Sequence, residues 1–255
     1  MKPLEIKHRV IGGGEPLICV PVVEQDAQSV IREITYLSQS TADMIEWRVD
    51  AFRDFTDYNA IRSVFEAVAP LLGEKLFLYT FRTAHQGGMA QVKAEQLDDL
   101  HDLAAESGCV ALVDLEFFEE DRPLHKIKRL REMGVSVIAS HHDFEQTPSP
   151  EVMKMLLEKM CAGGADIVKL AVMPQNYKDV LNLLDVTAQF REENPDTPVI
   201  TMSMGSLGGI SRISGETFGS CVTFGAHEKP SAPGQFAMKE LRQMLDTIHA
   251  SSRIQ

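Results

Sequence analysis

Short apolar runs recur along this chain at intervals of roughly 25–35 residues, and between them apolar positions step by three and four. The first pattern predicts strands and the second amphipathic helices, so their alternation predicts βα units. Eight strands are expected, at Leu17–Val23, Met44–Val49, Leu76–Phe81, Val110–Leu115, Val135–Ser140, Ile167–Val172, Val199–Met204 and Cys221–Gly225. Helical stripes run through Leu97, Leu100 and Ala104, through Tyr177, Leu181, Leu184 and Ala188, and through Ala237, Leu241, Met244 and Ile248. One small helix is expected near Ser211–Phe218, and residues 4–11 read as a hairpin or cap ahead of the first strand. No linker, internal repeat or low-complexity stretch divides the chain. The prediction is one domain over residues 1–255, a (β/α)8 TIM barrel of the α/β class with a short N-terminal hairpin. An open doubly wound sheet is the alternative. Against it, Gly12-Gly13-Gly14 precedes the first strand instead of following it, so no dinucleotide-binding fingerprint is present.

Side chains alternate along a strand, which sorts each one into two faces. In the second strand the apolar set Ile45, Trp47 and Val49 belongs against the helices, leaving Glu46 and Arg48 to point into the barrel. The third strand ends Thr80-Phe81-Arg82 and the fourth Asp114-Leu115-Glu116, with both acids on one face. The fifth ends Ser140-His141-His142-Asp143, and parity groups His142 with Ser136, Ile138 and Ser140, the more polar set and the better candidate for the interior. The sixth carries Lys169, on a face with Ile167 and Ala171. A lone ammonium among apolar neighbours must be paired or lose its proton. Lys169 is thus either a nucleophile toward ketones or a member of a structural ion pair. Three inward negatives (Glu46, Asp114, Glu116) stand against three positives (Arg48, Arg82, Lys169), a balance that a barrel mouth tolerates. Asp50, Asp114 and Glu116 read as structural ion-pair members.

Composition narrows the function classes. The net charge is −12 and the longest basic patch is the short Lys126–Arg131 segment, which argues against nucleic-acid binding. Cys19, Cys109, Cys161 and Cys221 lie far apart with no C-x-x-C, as expected of reduced thiols in a cytoplasmic protein. The opening Met1-Lys-Pro-Leu-Glu-Ile-Lys-His-Arg holds no apolar signal region, and no run approaches a membrane span. Late in the chain, Arg212 follows the Gly205–Gly209 run and suits a carboxylate or phosphate. The Glu228–Gln235 segment, rich in Pro, Gly and small polar residues, is either a surface loop or a lid bringing Ser231 and Gln235 to a ligand.

Taken together, several of these pieces resemble the type I 3-dehydroquinate dehydratases: Glu46-Trp-Arg48-Val-Asp50, Phe81-Arg-Thr83 with Gly87-Gly88, Asp114-Leu-Glu116, Ser140-His-His-Asp-Phe144, Lys169 with Ala171-Val-Met-Pro174, Met202-Ser-Met204, Ser211-Arg212 and Ser231-Ala-Pro-Gly-Gln235. They occur in the family's order over roughly residues 44–235. The resemblance implies dehydration of 3-dehydroquinate to 3-dehydroshikimate in the shikimate or quinate pathway, through a Schiff base. Lys169 would attack the C3 ketone and His142 would serve as general acid and base. Arg212 would grip the carboxylate, Ser231 and Gln235 would act from the lid, and Glu46, Arg48 and Arg82 would hold the ring hydroxyls. Arg48 and Arg82 would also keep the amine of Lys169 free by like-charge repulsion. The resemblance implies no metal or other cofactor, a small-molecule substrate and a homodimer, for which the apolar face of the last helices offers a surface.

One residue departs from the pattern. Where the family has a glutamate just before Gly-Gly, this chain has Gln86. Glutamine keeps the shape but removes the charge, so His142 is expected to hold its proton less tightly than in a relative with glutamate, with slower turnover or a displaced pH optimum. The competing expectations are a class I aldolase-like barrel lyase, a metal site on Glu46, Asp114 and Glu116, and a variant that binds the cyclic carboxylate but turns it over slowly because of Gln86.

Overall fold

The computed structural model describes residues 4–252. The ends of the expected 1–255 domain, residues 1–3 and 253–255, lie outside the described residues. Strands β1 (Leu4–Ile6) and β2 (Arg9–Ile11) form an antiparallel hairpin, as residues 4–11 predicted. The remaining strands are β3 (Leu17–Val22), β4 (Met44–Arg48), β5 (Leu76–Thr80), β6 (Leu112–Glu116), β7 (Ser136–Asp143), β8 (Ile167–Val172), β9 (Val199–Ser203) and β10 (Val222–Phe224). They form a parallel sheet in the order β10-β3-β4-β5-β6-β7-β8-β9. The residues just before β10 bring its two edges together. Val199 bridges Ser220, and the Cys221 N–H donates to the Val199 carbonyl at 2.8 Å. The result is the expected (β/α)8 barrel.

The helices around it are α1 (Ala27–Ser38), α2 (Tyr58–Val68), α3 (Ala94–Glu106), α4 (Pro123–Glu132), α5 (Pro150–Ala162), α6 (Tyr177–Glu193), α7 (Gly209–Ile213), α8 (Gly215–Phe218) and α9 (Met238–Ser252). Asp26 and Asp57 cap α1 and α2, and Asn176 with Asp179 forms a capping box that starts α6. None of the described helices is long and apolar enough to cross a membrane.

Three expectations need correction. The single small helix near Ser211–Phe218 is two, α7 and α8, meeting at Ser214. The buried face of α6 is Val180, Leu183, Leu184, Thr187 and Phe190, not the predicted stripe, for Tyr177 is 78% and Leu181 59% exposed. Thr187 misled the pattern. Its hydroxyl donates to the Leu183 carbonyl at 2.6 Å, so a polar residue sits in the buried face without an unpaired group. In α9 the buried residues are Met238, Leu241 and Leu245, whereas Ala237 is exposed and precedes the helix.

The parity assignments hold. Ile45, Trp47, Val168, Leu170 and Val172 pack in the layer between strands and helices, while Met44, Ile138, Ile167 and Ala171 pack inside the barrel. The lower interior is apolar: Cys19, Met44, Leu76, Leu78, Leu112, Ile138, Ile167 and Ile200 fill it, and Ile11 of the hairpin, with Leu4 and Ile6, packs beneath them. Polar residues replace this apolar fill only near the C-terminal ends of the strands.

Candidate active site

The strand ends converge on a cleft of about 470 Å³ lined by Glu46, Arg48, Arg82, Gln86, His142, Lys169, Ser231 and Gln235 together with Phe144, Met202, Met204 and Phe224. Eight of the nine residues singled out from the sequence therefore meet in one place. The ninth, Arg212, is not among the lining residues.

Register explains the meeting. Glu116 on β6 lies beside Ser140 on β7, and Ser140 beside Lys169 on β8, so these three inward side chains sit at one level of the barrel. Lys169 is 3% exposed. Its Nζ donates to Asp114 Oδ2 at 2.9 Å, lies 4.0 Å from Glu46 Oε1, and stands 4.6 Å from the centroid of the Phe224 ring. The expected repulsion from Arg48 and Arg82 is thus not the close-range feature at this amine. Its direct ionic contacts are carboxylates, because Arg48 is turned to Asp50, and Arg82 shares Asp114 with the lysine and also holds Glu116.

Arg82 is the hub of that arrangement. Nη2 donates to Asp114 Oδ1 at 2.7 Å, and Nη1 donates to Glu116 Oε1 at 2.9 Å and to Ser140 Oγ at 3.2 Å. Glu116 also accepts the N–H and hydroxyl of Thr83, at 2.9 and 2.7 Å. Arg48 makes a two-pronged pair with Asp50 at 2.7 and 2.8 Å, and Asp50 accepts backbone N–H groups from Arg82 and Met89. Burial pushes the Asp114 carboxyl up, but Arg82 and Lys169 outweigh it and hold it well below the usual carboxylate range. Asp50 is likewise held down by Arg48 against the effect of burial. These contacts also answer the metal reading of Glu46, Asp114 and Glu116. Their oxygens face Thr80, Lys169, Arg82, Ser140 and Thr83, and among the described residues no group of three or more His, Cys, Asp or Glu is arranged to hold a metal ion.

β7 runs three residues past its predicted end, through Asp143, and this extension carries both histidines into the ladder, His141 opposite Leu170 and His142 opposite Ala171. His142 therefore turns inward with Ser140. His141 turns outward, with its ring edge-on to Phe118. Burial first, then the cations Arg82 and Lys169, holds the His142 imidazole well below its ordinary value, so it is neutral near pH 7. Gln86 occupies the expected place beside it. Its Oε1 accepts the backbone N–H of His142 at 2.8 Å and lies 3.2 Å from Nδ1.

The segment between β10 and α9 covers the mouth. The Ser231 N–H donates to Gln235 Oε1 at 2.8 Å, and Gln235 Nε2 returns a bond to Ser231 Oγ at 3.0 Å. The Pro233 carbonyl accepts both the Gly205 N–H at 3.1 Å and Arg212 Nη2 at 2.9 Å. Arg212, 2% exposed, thus lies behind this segment, and its Nε and Nη1 have no protein partner. Burial lowers its pKa to about 10, so it is a cation at neutral pH with donors to spare.

Sequence reasoning assigned Asp114 a bland structural role, yet it touches Lys169 directly. The usable signal was its parity with Glu116 across from Ser140. Phe224, on an apolar run, carried no signal for the cleft, and Met204 carried one only through the Met202-Ser-Met204 piece of the resemblance.

The family model for type I 3-dehydroquinase matches residues 18–252. The chain belongs to that family. It is 41% identical over 250 residues to the 3-dehydroquinate dehydratase of Syntrophotalea carbinolica, and equally so to that of Listeria welshimeri, with 98% of this chain and 99% of each relative covered. A crystal structure of the type I enzyme of Clostridium difficile carrying covalently modified comenic acid superposes with a TM-score of 0.94 at 38% identity, over 98% of this chain and 99% of that one. The 3-dehydroquinate dehydratase of Geobacillus kaustophilus gives 0.95 at 35%, over 99% and 98%.

Proposed function

We propose that this chain, a lyase of the type I 3-dehydroquinase family, dehydrates 3-dehydroquinate to 3-dehydroshikimate through an imine on Lys169. The single observation that carries the residue roles is the placing of one buried lysine and one neutral, cleft-facing histidine on adjacent strands of a closed barrel mouth. Lys169 passes a proton to His142 as it attacks the C3 ketone, and His142 returns that proton to the hydroxyl of the carbinolamine, which departs as water as the iminium forms. The iminium withdraws electrons from C2, where His142 removes a proton. The resulting enamine expels the C1 hydroxyl, which takes that proton from His142 and departs as water. Hydrolysis of the conjugated iminium releases product and restores the lysine, so the net change is loss of one water.

The surrounding groups act by position. Asp114 and Glu46 hold the Lys169 side chain at the floor of the cleft; Arg82 in turn holds Asp114, the Thr80 hydroxyl holds Glu46, and Arg48 is held by Asp50. Arg212 supplies two unpartnered donors for the substrate carboxylate, with Ser231 and Gln235 closing over the ring. The assembly belonging to this proposal is a homodimer of one-domain barrels, measurable by light scattering.

The test is borohydride reduction in the presence of 3-dehydroquinate, followed by intact mass and peptide mapping. A covalent adduct on Lys169 supports the mechanism. Turnover without an adduct overturns the imine. Neither adduct nor turnover makes the chain a binder of the cyclic carboxylate, with Gln86→Glu the next variant.

A further inference from the structure

Gln86, 2% exposed, stands between two groups that leave its amide no freedom. On one side Oε1 accepts the His142 backbone N–H at 2.8 Å, and on the other Nε2 donates to Glu119 Oε1 at 3.5 Å. A backbone N–H only donates and an ionised carboxylate only accepts, so both neighbours demand the same orientation of the amide. The oxygen so fixed lies 3.2 Å from His142 Nδ1. Two acceptors do not share a hydrogen bond, so Nδ1 carries the proton. The neutral ring then has its lone pair on Nε2.

We propose that Glu119 is a positioning residue: acting through the Gln86 amide, it holds His142 as the Nδ1–H tautomer and keeps Nε2 free as the base. This rests on the assignment of His142 as the general base. Glu119 itself is exposed and follows the end of β6, where its N–H donates to the Glu116 carbonyl at 3.1 Å. Its carboxylate supplies a negative charge one amide removed from the imidazole. The charged groups facing His142 are Arg82 after β5, Lys169 on β8, Arg48 on β4 and Asp114 on β6. Three cations therefore weigh against Asp114 at this ring, with Glu46 in the same cleft and Asp143 next in the chain, and Glu119 adds a further acid through the amide. Glu119 also lies near His141, which shares its influence. The same geometry explains why a glutamine suits position 86 in this chain: a glutamate there would set two carboxylates against each other at the distance of the present hydrogen bond.

The experiment is a nitrogen-15 NMR titration of the histidines in the ligand-free protein, with His141→Gln and His142→Gln used to assign those two rings among the eight. It is run on the parent, Glu119→Gln and Glu119→Asp, beside the pH profile of kcat. The expected result is an Nδ1–H ring in the parent. In Glu119→Gln the His142 titration and the acidic limb of kcat both move down by about 0.3–0.5 pH unit, the effect of one partly screened charge. The kcat falls about two- to five-fold in that variant, and Glu119→Asp restores both readouts. An Nε2–H ring in the parent, or a Glu119→Gln titration that coincides with the parent, overturns the proposal. Because the NMR readout needs no turnover, an Nδ1–H ring with a Glu119-dependent titration supports the hydrogen-bonded chain even where no borohydride adduct forms, an outcome that would overturn only the imine mechanism.

Discussion

The barrel mouth and the layer between β5 and α3 both bury polar side chains, and they treat them in opposite ways. At the mouth, Arg82 donates to Asp114, Glu116 and Ser140, Thr83 adds two bonds to Glu116, and Asp114 in turn receives Lys169. Beneath α3, the Trp47 indole nitrogen, the Tyr79 hydroxyl and both ring nitrogens of His101 have no protein partner. Those rings meet edge to face, Trp47 with Tyr79 at 6.2 Å and Tyr79 with His101 at 6.4 Å. They are placed for apolar area, and their polar tips are carried in with them at a cost of about 1–3 kcal/mol for each unpaired group. The mouth holds charges, which are far more costly to bury alone, so none of the groups around Lys169 is left single. Burial of a polar group therefore does not mark a functional site in this molecule. What marks the site is a set of mutually dependent charges that opens onto a cleft.

The largest test of that difference is Arg82→Leu. It removes one cation and leaves Asp114 and Glu116 as buried carboxylates with only Lys169, Ser140 and Thr83 to face. Breaking a buried pair from one side costs about 3–5 kcal/mol. Urea unfolding at pH 7 should show a loss of that size, whereas a loss below about 1 kcal/mol would mean that the network is not interdependent. The partner substitution Asp114→Asn in the Arg82→Leu background should cost less than the sum of the two single changes, because the Arg82–Asp114 contact is lost only once.

Much of this site was legible from alternation alone. The clean parity of Glu46 and Arg48 against Ile45 and Trp47, and of Lys169 against Val168 and Leu170, placed the charges inside before any distance was known. What parity cannot reveal is pairing across strands. Asp114 and Lys169 sit on strands separated by β7, and only the register that aligns Glu116, Ser140 and Lys169 brings them together. Parity carried past Ser140 already turned His142 inward, but the expected strand bounds stopped at Ser140 because His141, His142 and Asp143 are poor strand formers; neighbouring β8 imposes the extension. Arg212 was singled out for its guanidinium fork, but its place behind the covering segment depends on the Pro233 carbonyl it holds, a contact that alternation along strands does not reveal.

The flank makes the next prediction, through pH. Burial lowers the His101 pKa to about 4, while the unfolded chain keeps a value of about 6.5. Between those values the unfolded state binds a proton that the folded state does not, so stability rises with pH and is lost as pH falls from about 6.5 toward 4. The contribution is about 2 kcal/mol at pH 5 relative to neutral pH. His101→Leu, on the buried face of α3, removes it. The variant's unfolding free energy should fall by about 2 kcal/mol less than the parent's between pH 7 and pH 5, with kcat unchanged. An equal fall would place the acid sensitivity at the mouth instead.

The smallest effect is expected where the lid meets the mouth, at Gly234. This residue has φ of +79°, and a Cβ built on it would lie 2.2 Å from the Gly205 carbonyl oxygen. The seat of the lid is therefore backbone against backbone, and glycine is required there both by conformation and by space. Gly234→Ala should lift the Pro233 carbonyl from Arg212 and from the Gly205 N–H. The groups released are partly solvent-exposed in the lid, so the unfolding free energy should change by only about 1 kcal/mol. The closed state would nevertheless be less populated, and the apparent affinity for substrate falls with the population of the competent state. The KM for 3-dehydroquinate should rise about tenfold, with kcat changed less than about threefold. A KM equal to the parent's would show that the lid does no binding, leaving Arg212 as a buried cation that serves the fold, like the unpaired groups beneath α3. A raised KM would set Arg212 apart from them, as an unpartnered group held ready for a ligand.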